Sequence, residues 1–208
     1  MQQRTPEWHA ARLGKATSSR LADITARTKS GYSTSRANYA AQLVCERLTG
    51  VHAEGFVSAA MIWGTQKEAE ALRLYEFEHD AEVEKVGFLD HPSLAMSGAS
   101  PDGLVGERGL VEVKCPITAT HLDTLLGRSI PEKYLLQVQW QMAVSGRVWC
   151  DFVSYDPRLP ADLRLFVQRV YRHDNVIDLL EREVRTFLAE VEALLGRLAA
   201  LARRSEAA

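Results

Sequence analysis

The apolar positions of this chain follow a helical period near both ends and an alternating period in the middle. Residues 36–49 and 64–79 carry apolar side chains at three- and four-residue spacing, which predicts two helices. Residues 175–203 repeat apolar side chains at alternating steps of three and four without a break. One continuous helix over this range would be about 43 Å long, with Asp174 as a suitable N-cap.

Shorter helices are predicted around these segments. Thr5 and Pro6 have the residue types of an N-cap and of a first helical position, and a further helix is expected over residues 16–24. Residues 131–144 also have a helical pattern. Residues 28–35 are small and polar, so we expect a flexible loop there.

Five segments have the alternation and the β-branched content that are typical of strands. They are residues 83–89, 94–97, 110–115, 149–155 and 163–171. The resulting order is helices, a sheet, a helix, two further strands and a long helix. This order predicts an α/β (α+β) fold with a central mixed β-sheet flanked by helices.

A length of 208 residues with 46% hydrophobic content is sufficient for one well-cored domain over residues 1–208. The last segment, residues 174–204, is predicted to be an amphipathic C-terminal helix. Its apolar stripe would be covered either by the chain's own domain or by another subunit or partner, and the pattern leaves both interpretations open.

Charge is unevenly distributed along the chain, although the net charge is only −2. Residues 1–36 carry seven Lys and Arg against two acidic residues, whereas residues 61–90 carry eight acidic residues against three basic ones. A basic stretch beside an acidic region would suit a phosphate ligand near a cation site. Solvated helix faces would give the same counts, so charge alone favours that simpler interpretation.

The remaining composition argues against several classes of protein. Cys45, Cys115 and Cys150 are too few and too widely spaced for a disulfide framework or a zinc ribbon. The sequence has no run of about 18 apolar residues that would predict a membrane span. Residues 1–10 do not have the apolar core of a secretory signal. We therefore expect a cytoplasmic protein with reduced cysteines and no membrane association.

Three ionisable residues in the middle of the chain form the strongest candidate for a catalytic site. Glu112 and Lys114 lie two positions apart in an otherwise apolar strand, so their side chains project from the same face. Asp102 precedes them in a Ser-Pro-Asp-Gly turn sequence. Asp102 alone would be an ordinary turn former, and Glu112 with Lys114 would be a structural ion pair. Together with the carbonyl of Val113, they can also form a site for Mg²⁺, which prefers oxygen ligands.

The spacing of Asp102 and Glu112-Val113-Lys114 resembles the PD-(D/E)xK nuclease motif. Further segments resemble the phage lambda exonuclease or YqaJ-type viral recombinase family, and they follow one another in order from residue 8 to residue 158. They are Trp8-His9-Ala10-Ala11-Arg12-Leu13-Gly14 with Thr17-Ser18-Ser19, Trp63-Gly64 with Glu68, Cys115-Pro116, Tyr134 with Gln137-Val138-Gln139, and Tyr155-Asp156-Pro157-Arg158. Together these segments are more specific than the nuclease motif alone.

This resemblance implies a PD-(D/E)xK nuclease-like core and a Mg²⁺-dependent 5′→3′ exodeoxyribonuclease that acts processively on double-stranded DNA. Such enzymes use two metal ions, with Mn²⁺ as a substitute for Mg²⁺, release 5′-phosphomonoesters and leave 3′ single-stranded overhangs. The implied partners are duplex ends, preferably 5′-phosphorylated, further copies in a ring-shaped homotrimer, and a single-strand annealing protein. The implied setting is phage or prophage DNA recombination in the cytoplasm of a bacterial host.

The resemblance also assigns roles at the candidate metal site. Asp102 and Glu112 match the family's metal ligands, with the Val113 carbonyl as a further ligand. Lys114 matches the catalytic lysine. Glu68 matches a helix carboxylate that completes the site directly or through water.

Other matched positions are expected to bind the substrate. Gln137 matches a helix residue that positions the nucleophile or the backbone. Arg12 and Ser19 match positions that bind the 5′-terminal phosphate, a role that suits a guanidinium and a hydroxyl near a helix N-terminus. Lys29 falls where relatives carry a basic loop residue. Met61 falls near an apolar wedge that splits the end base pair, although an ordinary core or surface methionine is an equally good interpretation.

Two other functions stay open at this point. A restriction or repair endonuclease of the same superfamily would carry the same motif. A non-catalytic DNA-binding recombination protein would retain only a vestigial site. The presence of Asp102, Glu112 and Lys114 counts against the second alternative.

Overall fold

The computed structural model describes residues 2–53 and 58–206. Helices occur at both ends of this part of the chain and between its strands, and a short 3₁₀ helix covers Ser18–Arg20. The α-helices are α1 (Pro6–Arg12), α2 (Leu21–Thr25), α3 (Thr34–Thr49), α4 (Ala59–His79), α5 (Thr118–Gly127), α6 (Glu132–Ser145) and α7 (Asp174–Glu206).

The strands form a mixed five-stranded sheet, a three-stranded sheet and a small hairpin. They are β1 (Ala16–Thr17), β2 (Arg27–Thr28), β3 (Gly31–Tyr32), β4 (Val83–Glu84), β5 (Leu89–Asp90), β6 (Ser97–Ala99), β7 (Gly103–Val105), β8 (Gly109–Lys114), β9 (Trp149–Tyr155) and β10 (Leu165–Tyr171). The large sheet has the order β10-β9-β8-β7-β4, and the smaller one has the order β1-β6-β5. The predicted fold, a mixed sheet flanked by helices, is confirmed.

The strand with the nuclease-like motif lies in the centre of the large sheet. β8 pairs antiparallel with β7 on one side and parallel with β9 on the other. β7 begins at Gly103, where a Cβ atom would lie 2.1 Å from the Val83 side chain of β4. Only glycine allows this approach, so the Asp-Gly of the turn sequence serves the packing of the sheet as well as the turn.

The long C-terminal helix packs against the chain's own helices over its first half. One apolar stripe of the helix is buried, namely Ile177, Leu180, Val184, Phe187 and Val191, and Phe187 stacks on Tyr39 of α3 with 5.3 Å between ring centroids. Leu201, near the end of the helix, is 58% exposed. The interpretation that this helix covers its own domain is therefore confirmed for its first half, and the exposed end leaves the other interpretation open there.

Predictions that rested on strong local patterns agree with the structure. Thr5 caps α1 by accepting a hydrogen bond from the Trp8 N–H. The predicted helices over residues 36–49 and 64–79 correspond to α3 and α4. Gly50 ends α3 with φ 68°, as expected of a C-cap glycine.

Predictions that depended on long-range pairing were wrong in part. Ala16–Thr17 begins no helix, because it pairs as a parallel strand with β6. Residues 28–35 contribute to the β2–β3 hairpin and to the start of α3, rather than forming a loop. Residues 83–89 divide between two sheets, as β4 and β5. Neither α5 nor β7 was predicted. Among the described residues, no helix combines the length and the apolar composition that a membrane crossing requires.

The two halves of α7 should differ in their contribution to stability. Phe187→Ala removes a ring that is 0% exposed and should lower the free energy of unfolding by about 3–5 kcal/mol. Leu201→Ala, at an exposed position of the same helix, should lower it by less than about 0.5 kcal/mol. Urea denaturation of both variants measures the difference, and equal losses would contradict the packing described above.

Candidate active site

Asp102 stands at the start of the β7–β8 hairpin. Gly103 lies opposite Val111 in the ladder, which brings Asp102, one residue earlier, next to Glu112. The Asp102 Oδ2 atom accepts a hydrogen bond of 2.7 Å from the Val113 backbone N–H. The turn therefore fixes one carboxylate against the strand that carries the other.

Glu112 is a buried carboxylate with donors on both oxygens. Its side chain is 2% exposed. The Gln137 Nε2 atom donates to Oε1 at 2.6 Å, and the Gln141 Nε2 atom donates to Oε2 at 2.7 Å. The Lys114 ammonium donates to Oε1 as well. These donors offset the cost of removing a charged carboxylate from water.

Lys114 extends from β8 towards the solvent. Its ammonium lies 5.1 Å from the centroid of the Tyr134 ring, and the side chain is 24% exposed. Burial by itself would lower the pKa of Lys114, but the negative charges of Glu112 and Asp102 outweigh burial and raise the pKa above its ordinary value. Lys114 is therefore a cation in this arrangement.

Asp102 and Glu112 together have the chemistry of a divalent cation site. Burial raises the pKa of Asp102, and the nearby charge of Glu112 raises it further, so the two carboxylates repel each other. A hard cation between them would remove this repulsion, and Mg²⁺ takes such carboxylate and carbonyl oxygens. In residues 2–53 and 58–206, no three His, Cys, Asp or Glu side chains meet as a complete metal cage. The donors therefore fit an ion that keeps water or substrate oxygens among its ligands.

Glu68 approaches this pair of carboxylates from helix α4. Its Oε2 atom accepts a hydrogen bond of 2.6 Å from the Arg4 guanidinium, and its Oε1 atom lies 3.6 Å from the Lys85 ammonium. The negative charge of Glu68 contributes to the raised pKa of Asp102. Glu68 therefore belongs to the same electrostatic site, although its hydrogen bond comes from Arg4 and its second ion pair is with Lys85.

A cleft of about 680 Å³ brings most of the predicted site residues together. Its walls come from the 3₁₀ helix, from α4, from the β7–β8 hairpin and from the start of α6. The predicted residues that line it are Ser19, Met61, Glu68, Asp102, Val113 and Lys114. Arg12, Lys29, Glu112 and Gln137 do not line it.

Arg12 lies next to the cleft, behind the turn that carries Asp102. Its guanidinium stacks on the Trp8 ring at 4.1 Å and donates to the Ser100 hydroxyl at 3.2 Å. The Trp8 indole donates to the same hydroxyl at 2.9 Å. Burial lowers the pKa of Arg12. Ser19, which was predicted to act with Arg12, is exposed in the cleft, whereas Arg12 does not line the cleft and donates to Ser100.

The remaining predicted residues lie farther from the cleft. Lys29 is exposed in the turn of the β2–β3 hairpin. Gln137 is buried and contacts Glu112 from behind. Gln141 makes the matching contact one helical turn later, and this role was missed. The signal was present in the sequence, since residues four apart share a helix face.

The segment after β9 joins this strand to helix α4. The Tyr155 hydroxyl donates to Glu70 at 2.6 Å. The Asp156 Oδ1 atom accepts from the Arg158 Nε atom at 2.7 Å. The Arg158 guanidinium also lies 4.5 Å from the centroid of the Trp63 ring. This segment therefore holds α4, which carries Glu68 and Met61, against the central sheet.

Comparisons with known proteins point to one family. The model of the YqaJ-like viral recombinase domain matches residues 7–148. The chain is 48% identical to an alkaline exonuclease, LHK-Exo, from Laribacter hongkongensis, and its crystal structure matches with a TM-score of 0.89 over 96% of this chain and 99% of that one. The crystal structure of LHK-Exo in complex with dAMP matches with a TM-score of 0.90 over the same shares of both chains.

Two more distant proteins are also similar. A phage related exonuclease from Haemophilus somnus matches with a TM-score of 0.73 at 16% identity, over 88% of this chain and 96% of that one, and this likeness shows the fold alone. An uncharacterized protein of Acanthamoeba polyphaga mimivirus is 30% identical over 104 residues, which are 44% of this chain. That match spans only 19% of the viral protein's length.

The Asp156–Arg158 pair should make stability depend on pH in the acid range. Burial raises the pKa of Asp156, but hydrogen bonds from Arg158 and Thr118 outweigh burial and lower it to about 2. An unfolded Asp has a pKa of about 3.9, so the pair stabilises the fold above about pH 4 and loses this contribution as the pH falls towards 2.

Asp156→Asn should therefore lower the free energy of unfolding near neutral pH and flatten its dependence on pH below about 5. Urea denaturation over this range measures both effects. Asp174→Asn is the matched control, because Asp174 forms an ion pair with Arg172 but its side chain is 76% exposed. A control that flattened the curve as strongly as Asp156→Asn would contradict the assignment.

Proposed function

The chain belongs to the YqaJ-like viral recombinase family, and we propose that it is a Mg²⁺-dependent exonuclease that digests the 5′-ended strand of duplex DNA. The observation that carries the proposal is the position of Asp102 and Lys114 on the wall of an open cleft with the size of a small-ligand site, where Lys114 also donates to the buried carboxylate of Glu112. The 48% sequence identity to an alkaline exonuclease over nearly the whole chain supports nuclease activity. Membership of the family supports a role in recombination.

Asp102, Glu112 and the carbonyl of Val113 hold the metal in this proposal, with two Mg²⁺ ions, or Mn²⁺ in their place, at each site. The bound metal supplies Lewis-acid activation of water and of the scissile phosphate. Glu68 completes the ligand set directly or through water. Burial raises the pKa of Asp102 and the nearby charge of Glu112 raises it further, and this supports the assignment because a bound cation would offset both effects.

Lys114 and the two glutamines act on the reaction through separate contacts. The Lys114 ammonium binds the attacking water or stabilises the negative charge that develops on the phosphate. The amides of Gln137 and Gln141 hold the two oxygens of Glu112, so this side chain keeps one orientation. The product is a 5′-phosphomonoester, and the remaining strand is a 3′ overhang.

Selection of the DNA end is assigned to residues around the mouth of the cleft. Ser19 and Arg12 bind the 5′-terminal phosphate. To do so, the Arg12 guanidinium gives up its hydrogen bond to Ser100 and donates to the phosphate instead. Met61, 57% exposed on the cleft wall, suits an apolar wedge at the end base pair. Lys29 contacts the DNA backbone outside the cleft.

The wider biological setting rests on membership of the family. We propose a ring-shaped homotrimer that encloses the DNA and makes digestion processive. The overhang then passes to a single-strand annealing protein during phage or prophage recombination in the cytoplasm of a bacterial host.

Digestion of labelled DNA tests the proposed activity. With Mg²⁺, the wild type should release label from the 5′ end of a linear duplex before the 3′ end, and it should spare closed circular duplex. Asp102→Asn should abolish hydrolysis and keep binding to duplex ends in Ca²⁺, since it removes one ligand charge with little change in shape. Asp90→Asn, at a position that is 70% exposed, is the matched control and should digest normally.

Each alternative gives a different result in this assay. Cutting of closed circles would favour an endonuclease. Binding without hydrolysis by the wild type would favour a non-catalytic DNA-binding protein. Earlier loss of the 3′ label would contradict the proposed polarity.

Digestion of duplexes with and without a 5′-phosphate tests the proposed phosphate pocket. Arg12→Ala should slow digestion of 5′-phosphorylated ends by about 10- to 100-fold, the effect of losing a charge-assisted hydrogen bond. The same variant should change digestion of 5′-hydroxyl ends little, which makes this substrate the matched control. Equal wild-type rates on the two kinds of end would contradict the pocket.

A further inference from the structure

Arg4 has an unusual backbone conformation at the edge of the catalytic cleft. Its φ angle is 66°, in the left-handed region that residues other than glycine rarely occupy. Such conformations persist where the surroundings impose them, and they cluster at functional sites. The Arg4 side chain points into the cleft, where its Nη2 atom donates to Glu68 at 2.6 Å.

The neighbouring residue Gln3 holds this conformation in place. Its side-chain amide donates to the Val86 carbonyl at 3.0 Å and to the Pro101 carbonyl at 2.8 Å. Because Pro101 directly precedes Asp102, the position of Arg4 is tied to the metal-binding turn. Gln3 therefore anchors the backbone beside Arg4 to the turn that carries Asp102.

Glu68 has two cationic neighbours at the edge of the cleft. Arg4 contacts one oxygen of this carboxylate and Lys85 lies near the other, so two cations face one anion. Their side chains are 49% and 59% exposed. Among the described residues, the Arg4 guanidinium makes only the hydrogen bond to Glu68, and its other N–H groups are available to a ligand.

A second cleft of about 460 Å³ lies beyond Arg4. Arg4 and Glu68 line both this cleft and the catalytic one, so they form the border between them. The other residues that line the second cleft are Gln2, Gln3, Lys85 and Val86. Its lining is mostly polar, with an excess of positive charge, which suits an anionic ligand.

We propose that Arg4 and Lys85 bind a backbone phosphate of the DNA strand where it passes from the catalytic cleft into the second cleft. This inference rests on the proposed function, because it requires DNA in the catalytic cleft. A guanidinium with unused donors matches the oxygens of a phosphodiester, and Lys85 adds a point charge beside it. Arg4 and Lys85, which are far apart in the sequence, thus contribute to one phosphate-binding site.

Binding to a short, blunt-ended, 5′-phosphorylated duplex in Ca²⁺ tests this site without hydrolysis. Arg4→Gly removes the side chain and favours the observed backbone conformation, so the segment should keep its path. It should weaken binding about tenfold and reduce the dependence of log affinity on log salt concentration by about 1. Lys85→Gln should act in the same direction, and Arg4→Lys should restore part of the affinity.

Arg73→Gln is the matched control. It removes one exposed positive charge from α4, the helix that carries Glu68, at a position outside both clefts. It should leave the affinity and its salt dependence unchanged. Thermal melting of Arg4→Gly should show a fold at least as stable as that of the wild type.

Two results would overturn the inference. Wild-type affinity and salt dependence in Arg4→Gly would remove Arg4 as a phosphate ligand. Unchanged DNA binding together with a raised Mg²⁺ requirement for digestion would show that Arg4 only positions Glu68. Failure of the proposed function is distinct, since it would appear as absent Mg²⁺-dependent hydrolysis by the wild type, whatever the variants bind in Ca²⁺.

Discussion

The burial of one carboxylate, Glu112, in the centre of a β-sheet is the constraint on which the rest of the site depends. A buried charge that loses its partners costs about 3–5 kcal/mol, so β8 cannot hold Glu112 without donors close by. Helix α6 supplies them from Gln137 and Gln141, and Lys114 supplies a third. The placement of α6 against the sheet therefore follows from the chemistry of one side chain as well as from apolar packing.

The N-terminal residues reach the same site through two adjacent residues of the turn. Gln3 donates to the Pro101 carbonyl, and both Trp8 and Arg12 donate to the Ser100 hydroxyl. Ser100 and Pro101 directly precede Asp102. The segment expected to contact the DNA end is thus hydrogen-bonded to the residues that place Asp102, the proposed metal ligand, so a displacement of the segment should also displace Asp102.

The features that could be predicted from the sequence are those that depend on neighbouring residues. The alternation around Glu112 and Lys114 predicted their common face, and Thr5 with Pro6 predicted the start of α1. Local patterns could not show that Ala16–Thr17 pairs with a strand about eighty residues later, because this two-residue segment has no strand signal of its own. The partners of Glu68 and the position of Arg4 were missed for the same reason, since each depends on contacts between distant segments.

Because β8 lies in the centre of the sheet, it should open less readily than the exposed elements of the molecule. A strand with neighbours on both sides opens only when much of the fold opens, so its amide protons should be among the slowest to exchange with solvent. The side chains of α1 are only half-buried or exposed, and the β2–β3 hairpin is exposed and forms a separate sheet. The hairpin, which is not bonded to the turn before Asp102, can open and close at small cost while β8 stays intact. It can therefore adjust to a bound ligand without displacing Asp102 and Glu112, the carboxylates of the candidate site.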